Sequence, residues 1–374
     1  MRNRIVAFVS LLIMINPLAT QYRSAVPGYR YEFPRDNFSH PDFKTEWWYY
    51  TGNLKAADGQ EFGFELTFFR EALTREAQST SEWNAPDVYM AHLALSDIGG
   101  GKFYHRERLN RAGPGIAGVN AETRRIWNGN WQIVWKGDEQ NLQAISDQFA
   151  LSLTLESQKP PVIHGVDGVS QKSAGPGHAS HYISLTRLVV NGEIDVHEKK
   201  LQVTGTAWMD HEFFTQQLDA EQIGWDWFSL QLDDNTELML FRMRLKDGSI
   251  DAFSSGTYID SAGKTTHLAQ KDFAMQPMGD TWKSESDGAV YPIHWHVIVP
   301  SLKIDLDVTT PLKPQELAGK TSLSPSYWEG AIRLAGTRDA ARIAGVGYLE
   351  MTGYDRPVRM GRPISGQMPS SSSR

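Results

Sequence analysis

Hydrophobic and polar positions alternate with a period of two through most of the chain beyond residue 45, and long amphipathic helical patterns are scarce. Phe62, Phe64, Leu66 and Phe68 alternate with Gly63, Glu65, Thr67 and Phe69. Phe149, Leu151, Leu153 and Leu155 do the same against Ser152, Thr154 and Glu156. Comparable runs occupy 181–190, 201–212, 225–232, 237–245, 293–299, 302–308 and 343–351. Turn signals at Asp58-Gly59, Asn191-Gly192 and Asp247-Gly248 separate many of them. The pattern predicts an all-β chain whose strands, closed by hairpins, form barrels or sandwiches.

Laid side by side, the strands repeat. EWWYYTGNLKAADGQEFGFELTFFR (46–70) parallels GWDWFSLQLDDNTELMLFRMR (224–244). NWQIVWKG followed by FALSLTLE matches IHWHVIVP followed by LKIDLDVT, and HYISLTRL (181–188) parallels YWEGAIRL (327–334). VTGTAWMDHEF (203–213) parallels IAGVGYLEMTG (343–353), which pairs Trp208 with Tyr348 and Asp210 with Glu350. The order is the same in both halves, so the expectation is two antiparallel β domains, 28–213 and 214–355, related by internal duplication. The first carries two insertions: 70–87, expected to be partly helical, and the Gly/Pro/Ser-rich 160–180, expected to be a mouth loop or lid. The tail at 356–374, ending in SSSSR, has little to bury and is expected to be disordered.

Composition narrows the function classes. The 374 residues include 40% hydrophobic and 22% charged, with a net charge of −7, so no basic surface for nucleic acid is expected. The absence of cysteine removes disulfides, thiol nucleophiles and cysteine-ligated metals. Twelve Trp, 13 Tyr and 16 Phe, many in strands, suit an apolar ligand. At the amino terminus, Arg2 and Arg4 precede an apolar run from Ile5 to Ile15 and then Pro17. This is the layout of a secretory signal peptide over 1–20, and the run is short for a span of about 20 residues. An uncleaved anchor is the alternative, since Ala19-Thr20 is only an acceptable cleavage site. A periplasmic or secreted location is the expectation.

Three groups of residues could carry chemistry. In a strand, Glu46, Trp48 and Tyr50 share one face, where a carboxyl in an apolar cavity would have a raised pKa. The alternative is that Glu46 pairs at the strand entrance and the aromatics are core. In GTAWMDHEFF (205–214), period two puts Trp208, Asp210 and Glu212 on one face and His211 opposite. Carboxylates two residues apart, about 6.5–7 Å along a strand, can work with a water between them. Otherwise they mark a solvated strand end. His178 and His181, in a Gly-rich loop, lack helical chelate spacing, whereas His294 and His296 share a strand face but have no visible third ligand. No metal or cofactor is expected, and no nucleophile elbow, phosphate loop or dinucleotide fingerprint is present.

HPDFKTEWWYYTGNL (40–54), GTAWMDHEFF, GWDWFSLQL (224–232) and GYLEMTGY (347–354) resemble the AttH-like family, which is grouped with the carotenoid 1,2-hydratases (hydroxyneurosporene synthases). The resemblance covers about 38–354 and implies two lipocalin-like β-barrel domains. The hydratases carry His-x-Trp followed by Tyr-x-Asp. Here His181-x-Ile183 and Trp208-x-Asp210 stand at those places, with Ile and Trp replacing the family's Trp and Tyr. The resemblance implies Asp210 as the acid that protonates a C=C bond, Trp208 and Trp48 as an aromatic wall for the cation, and His181 orienting water. The combined expectation is an exported protein that binds a hydrophobic, isoprenoid or lipid-like ligand. Glu46, Trp48, Tyr50, Trp208, Trp225, Trp227, Tyr348 and Glu350 would line its site. The alternatives are a cofactor-free hydratase using Asp210, His181 and Glu212, and an envelope protein that partners a transporter or touches the membrane.

Overall fold

Two antiparallel sheets hold nearly all the strands of the computed structural model, which describes residues 22–73, 86–113, 115–196, 198–319 and 326–358. The expected leader at 1–20, most of the 70–87 insertion and nearly all of the 356–374 tail lie outside the described residues.

In the first sheet, the strand Thr45–Ala56 lies between Glu61–Ala72 and the last strand, Lys199–Phe214. The hairpin partner Ala179–Val196 links this wing to Phe149–Ser157 and the short strands before it. The two ends of the sheet meet where Asn128 Nδ2 donates to the Tyr89 carbonyl and Arg108 donates to the Asn128 carbonyl, both at 3.1 Å. The second sheet repeats the plan, with Gln222–Leu232 between Glu237–Leu245 and the last strand, Ala341–Thr352. Both are lipocalin-like barrels. Asn191-Gly192 is not the turn its composition predicts, because the strand runs on to Val196. A Cβ at Gly192 would sit 2.2 Å from the Ser152 carbonyl oxygen, so glycine permits the close approach of the two strands.

Alternation sends one side-chain set inward. Trp48, Tyr50, Phe64, Leu66, Phe68, Leu93 and Ile133 are fully buried and pack with one another inside the first barrel. Tyr50 satisfies its hydroxyl there, donating to Gln140 Oε1 at 2.6 Å. Phe228, Leu230, Trp295, Val297, Trp328 and Leu349 fill the second. Each such side chain contributes about 1.5–3 kcal/mol of burial.

The register refines the internal repeat. Tyr49 lies opposite Asp210 and Trp227 opposite Glu350, as the repeat requires. Ser184 lies opposite Asp210, but Glu329 lies opposite Glu350. Tyr182 therefore corresponds to Tyr327, one residue away from the pairing that the sequence suggests. The irregularity between Leu185 and Leu188 adds a residue to the first copy, and strand parity turns any one-residue slip into a change of face.

The barrels join through the outer faces of their first and last strands. Tyr49, Tyr182, Trp208, Trp227, Phe241 and Tyr348 form one apolar cluster in this seam. Polar ties run across it. Gln231 Nε2 donates to the carbonyls of Thr186 and Ala207 at 2.8 and 2.9 Å, and Asn53 Nδ2 donates to the Gly347 carbonyl at 3.1 Å. Lys159 Nζ reaches Glu237 at 2.7 Å and the Asp260 carbonyl at 2.8 Å.

Residues 22–44 form a strap over one end of the first barrel, tied down at Glu46. This carboxylate accepts from His40 Nδ1 at 2.7 Å, His211 Nε2 at 2.9 Å and Arg70 Nε at 3.1 Å. His40 Nε2 also meets Asp36 Oδ1 at 3.1 Å, and its ring stacks on Phe213 at 3.6 Å. Burial would push the Glu46 carboxyl up, but the hydrogen bonds from His211 and His40 and the charge of Arg70 hold it well below the usual range. This corrects the expectation of a raised pKa in a ligand cavity: Glu46 is a structural hub. Because its folded pKa is depressed, its contribution is present above the unfolded value of about 4.3 and is lost as pH falls through the folded value. Glu46→Ala, which strands Arg70 and both imidazoles, is expected to cost about 3–5 kcal/mol in urea denaturation at pH 7. The deficit should shrink when the same measurement is made below about pH 4.

Candidate active site between the barrels

Strand parity decides which candidates meet. On Lys199–Phe214, Trp208, Asp210 and Glu212 face the second barrel, while His211 turns inward and lies against Trp48 at 4.9 Å. On Thr45–Ala56 the seam receives Trp47, Tyr49 and Thr51, and Glu46, Trp48 and Tyr50 point the other way. Trp48 and Tyr50 are therefore barrel core, and with Glu46 they drop out of the proposed ligand site. His181 is likewise corrected. It shares a face with Ile183 and Phe213 under the strap, 4.5 Å from the Tyr29 ring, so it cannot orient a water at Asp210. Tyr182 and Ser184 take that position instead. The register sets Ser184, Asp210, Tyr49, Thr67 and His92 in one line across five strands.

Asp210 sits in a nest of donors. Its carboxyl accepts from the Tyr182 hydroxyl, the Ser184 hydroxyl and Trp208 Nε1, the last at 2.6 Å. Trp227 of the second barrel donates to the Tyr182 oxygen at 2.9 Å. Ser184 Oγ meets His164 Nε2 at 2.7 Å, and His164 Nδ1 meets Thr257 Oγ1 at 2.8 Å. Burial pushes the Asp210 carboxyl up to about 7 despite these three donors, with Glu212 adding to the rise. Burial, reinforced by the charge of Lys172, holds His164 well below its usual range, so it is neutral. The hydroxyls make both protonation states of Asp210 satisfiable. When Asp210 carries a proton it donates to Ser184, which donates to His164 Nε2; when it is ionised Ser184 donates to Asp210, and His164 in its Nε2–H tautomer donates to Ser184 while Thr257 donates to Nδ1.

Glu212 has partners of its own: the Ser180 hydroxyl, Gln217 Nε2 at 3.0 Å and Lys172 Nζ at 3.7 Å. Burial raises its carboxyl and lowers the Lys172 ammonium, which lies 3.9 Å from the Phe241 ring centroid and 5.0 Å from that of Tyr182. His164 and Lys172 both come from the 160–180 segment. That segment pairs with Ala179–Val196 through short strands at Val162–Ile163 and Ser170–Gln171, so it is wedged into the seam as a wall and is not a mouth loop.

From the second barrel come Trp225, Trp227, Tyr348 and Glu350. Glu350 accepts from Trp225 Nε1 at 3.2 Å, and burial pushes its carboxyl up to about 8. Trp227 stands edge-on to Tyr49 at 5.3 Å and to Trp208 at 6.4 Å. Tyr182, Ser184, His164, Lys172, Tyr49, Glu65 and Glu329 were not singled out from sequence. One signal was present: Trp47, Tyr49 and Thr51 align with Trp225, Trp227 and Ser229 in the repeat, which marks that parity set as the shared face. The other histidines considered as ligands are satisfied elsewhere. His294 bonds Asp307 at 2.6 Å, His296 bonds Asp305 at 2.7 Å, and His178 bonds Ser173 at 2.8 Å. Among the described residues, His40, Glu46 and His211 are the one group of three that brings metal-ligand atoms within 4.8 Å of one another, and Arg70 already occupies the Glu46 carboxylate.

The geometry can be set beside known proteins. The crystal structure of a putative AttH from Nitrosomonas europaea superposes with a TM-score of 0.80 at 35% identity, covering 89% of this chain and 99% of that one. Kievitone hydratase from Nectria haematococca shares the fold, with a TM-score of 0.69 at 14% identity over 90% of this chain and 97% of its own. CghA shares it more distantly, at 0.52 and 10% identity over 84% of this chain and 90% of its own. Comparison with curated proteins returns no match. The AttH-like family model matches residues 24–354, and with this span and that relative the chain belongs to the AttH-like family.

Proposed function

We propose that the seam between the barrels binds a small apolar molecule of the isoprenoid or lipid-like class, and that Asp210 hydrates a C=C bond in it without a cofactor. One observation carries the reading. A carboxyl with a pKa of about 7 is enclosed by hydroxyl and indole donors and lies beside the rings of Trp208, Trp227 and Tyr49. A protonated acid at neutral pH can add its proton to an alkene, leaving a carbocation that aromatic faces stabilise. Water then attacks the cation, and the surplus proton returns to the Asp210 carboxylate. The Ser184–His164 pair accommodates either state of the acid during the cycle. A fold relative that bears the name of a hydratase supports the same reading. The location outside the cytoplasm is supported by the charged and apolar amino-terminal run alone. A transporter or membrane partner would follow from that location.

Incubation with acyclic isoprenoids (geraniol, farnesol and squalene) in 18O-water should yield a product heavier by one labelled water. Asp210→Asn should abolish it while ligand-induced quenching of tryptophan fluorescence persists. Equal turnover by the variant removes Asp210 as the acid, and quenching without any product reduces the protein to a binder.

The raised pKa has a second consequence. The stability that protonated Asp210 supplies is complete below its unfolded value of about 3.9 and is lost as pH rises through about 7. Asparagine imitates the neutral acid. The unfolding free energy of Asp210→Asn, relative to the parent, should therefore rise by a few kcal/mol between pH 4 and pH 8. Paired urea titrations measure this.

A further inference from the structure

Beside Asp210, three further carboxyl groups from three strands converge in the seam: Glu65, Glu329 and Glu350. The charges of Glu65 and Glu350 both act on Glu329, and those of Glu65, Glu329 and Glu350 act on the Tyr49 hydroxyl. Thr51 lies directly across from Glu65 in the register. Several of these groups make no hydrogen bond. Both Glu329 oxygens, Glu65 Oε2 and the hydroxyls of Tyr49, Tyr348 and Thr51 are buried without a hydrogen-bond partner. The Tyr49 hydroxyl faces the Glu329 carboxyl but does not reach hydrogen-bonding geometry. Glu65, Glu329, Tyr348 and Thr51 are each 1% exposed and Tyr49 is 8% exposed, so bulk solvent does not serve them.

Six orphaned atoms in one place are a departure from the near-complete pairing of buried polar groups. Three of the six are carboxyl oxygens, and no lysine or arginine bonds any of the three carboxyls among the described residues. The glutamates do not bring oxygens close enough together to form a metal-ligand group of the kind seen at His40, Glu46 and His211. An organic cation with several N–H donors can serve oxygens that are contributed by several strands. Trp225 and Trp227 border the carboxyls: Trp225 bonds Glu350, and Trp227 lies opposite it in the register. Such rings attract an organic cation through their faces.

We propose that this part of the seam binds an organic ammonium group, whose N–H donors engage Glu329, Glu65 and the Tyr49 and Tyr348 hydroxyls and whose charge the carboxylates balance. The site lies next to Asp210 and shares Tyr49 and Trp227 with it, but its carboxyls are Glu65, Glu329 and Glu350, so the binding measurement below, which needs neither Asp210 nor turnover, tests it separately from the hydration reading.

Isothermal titration of the full chain with hexylammonium and with hexanol at pH 8 tests the proposal, because the two probes share an alkyl chain and differ in charge. Hexylammonium is expected to bind at least about tenfold more tightly than hexanol, the scale of a charge-assisted hydrogen bond. Glu329→Gln and Glu350→Gln should each remove most of that preference, with circular dichroism reporting whether the variants are folded. Hexanol binding as tightly as the ammonium, or no binding of hexylammonium to the parent protein, overturns the proposal without reference to any variant. Unchanged hexylammonium affinity in folded Glu329→Gln overturns it as well.

Discussion

The strand Thr45–Ala56 and the second half of Lys199–Phe214, from Ala207 onward, are buried on both faces, and the rest of the molecule follows from that constraint. A sheet with an apolar inner face and an aromatic outer face cannot stop at one barrel; the outer face needs a second apolar surface to cover it. The duplicated half supplies it, with Trp227 and Tyr348 set against Tyr49, Trp208 and Tyr182. Polar groups on the outer face are then removed from water by the packing that stabilises the pair. Asp210 and Glu212 share a strand with Trp208, and Glu65 and Glu329 lie on the strands paired with those of Tyr49 and Tyr348, so all four acids are out of water.

The two copies handle this burial differently. Opposite Asp210 the first barrel places Ser184, a hydroxyl that donates to the carboxyl. At the equivalent place opposite Glu350 the second barrel has Glu329, another carboxyl. One acid is thus cradled and the other crowded. This register position, together with the 160–180 insertion of the first copy and Trp208 in place of Tyr348, gives a duplicated scaffold two chemically distinct ends of one seam.

Much of this was readable in the sequence, and what was not has physical causes. Period-two alternation identified the all-β class, the repeat identified the duplication, and parity separated His211 from Asp210 and Glu212. Parity could not say which face of EWWYYTG is the inside, because both faces carry aromatics: Trp48 and Tyr50 fill the barrel while Trp47 and Tyr49 meet its neighbour. His181 was placed with Asp210 by the resemblance to the hydratase pattern, which does not report that His181 lies opposite Phe213, on the face under the strap. The Glu46 hub gathers residues as far apart in the chain as 36, 70 and 211, so no local pattern reports it.

The pairing of first strand with last also sets an order of events. Thr45–Ala56 has no partner on one edge until residues 199–214 have been synthesised, and Gln222–Leu232 waits in the same way for 341–352. Contacts this distant in sequence form slowly, since a long loop must close before any of them is gained. All strand pairings of each barrel lie within its own half, but the seam exists only when both are complete. The acids between the barrels are therefore among the last groups to leave water, and a nascent chain carries them solvated and ionised until its final strand arrives.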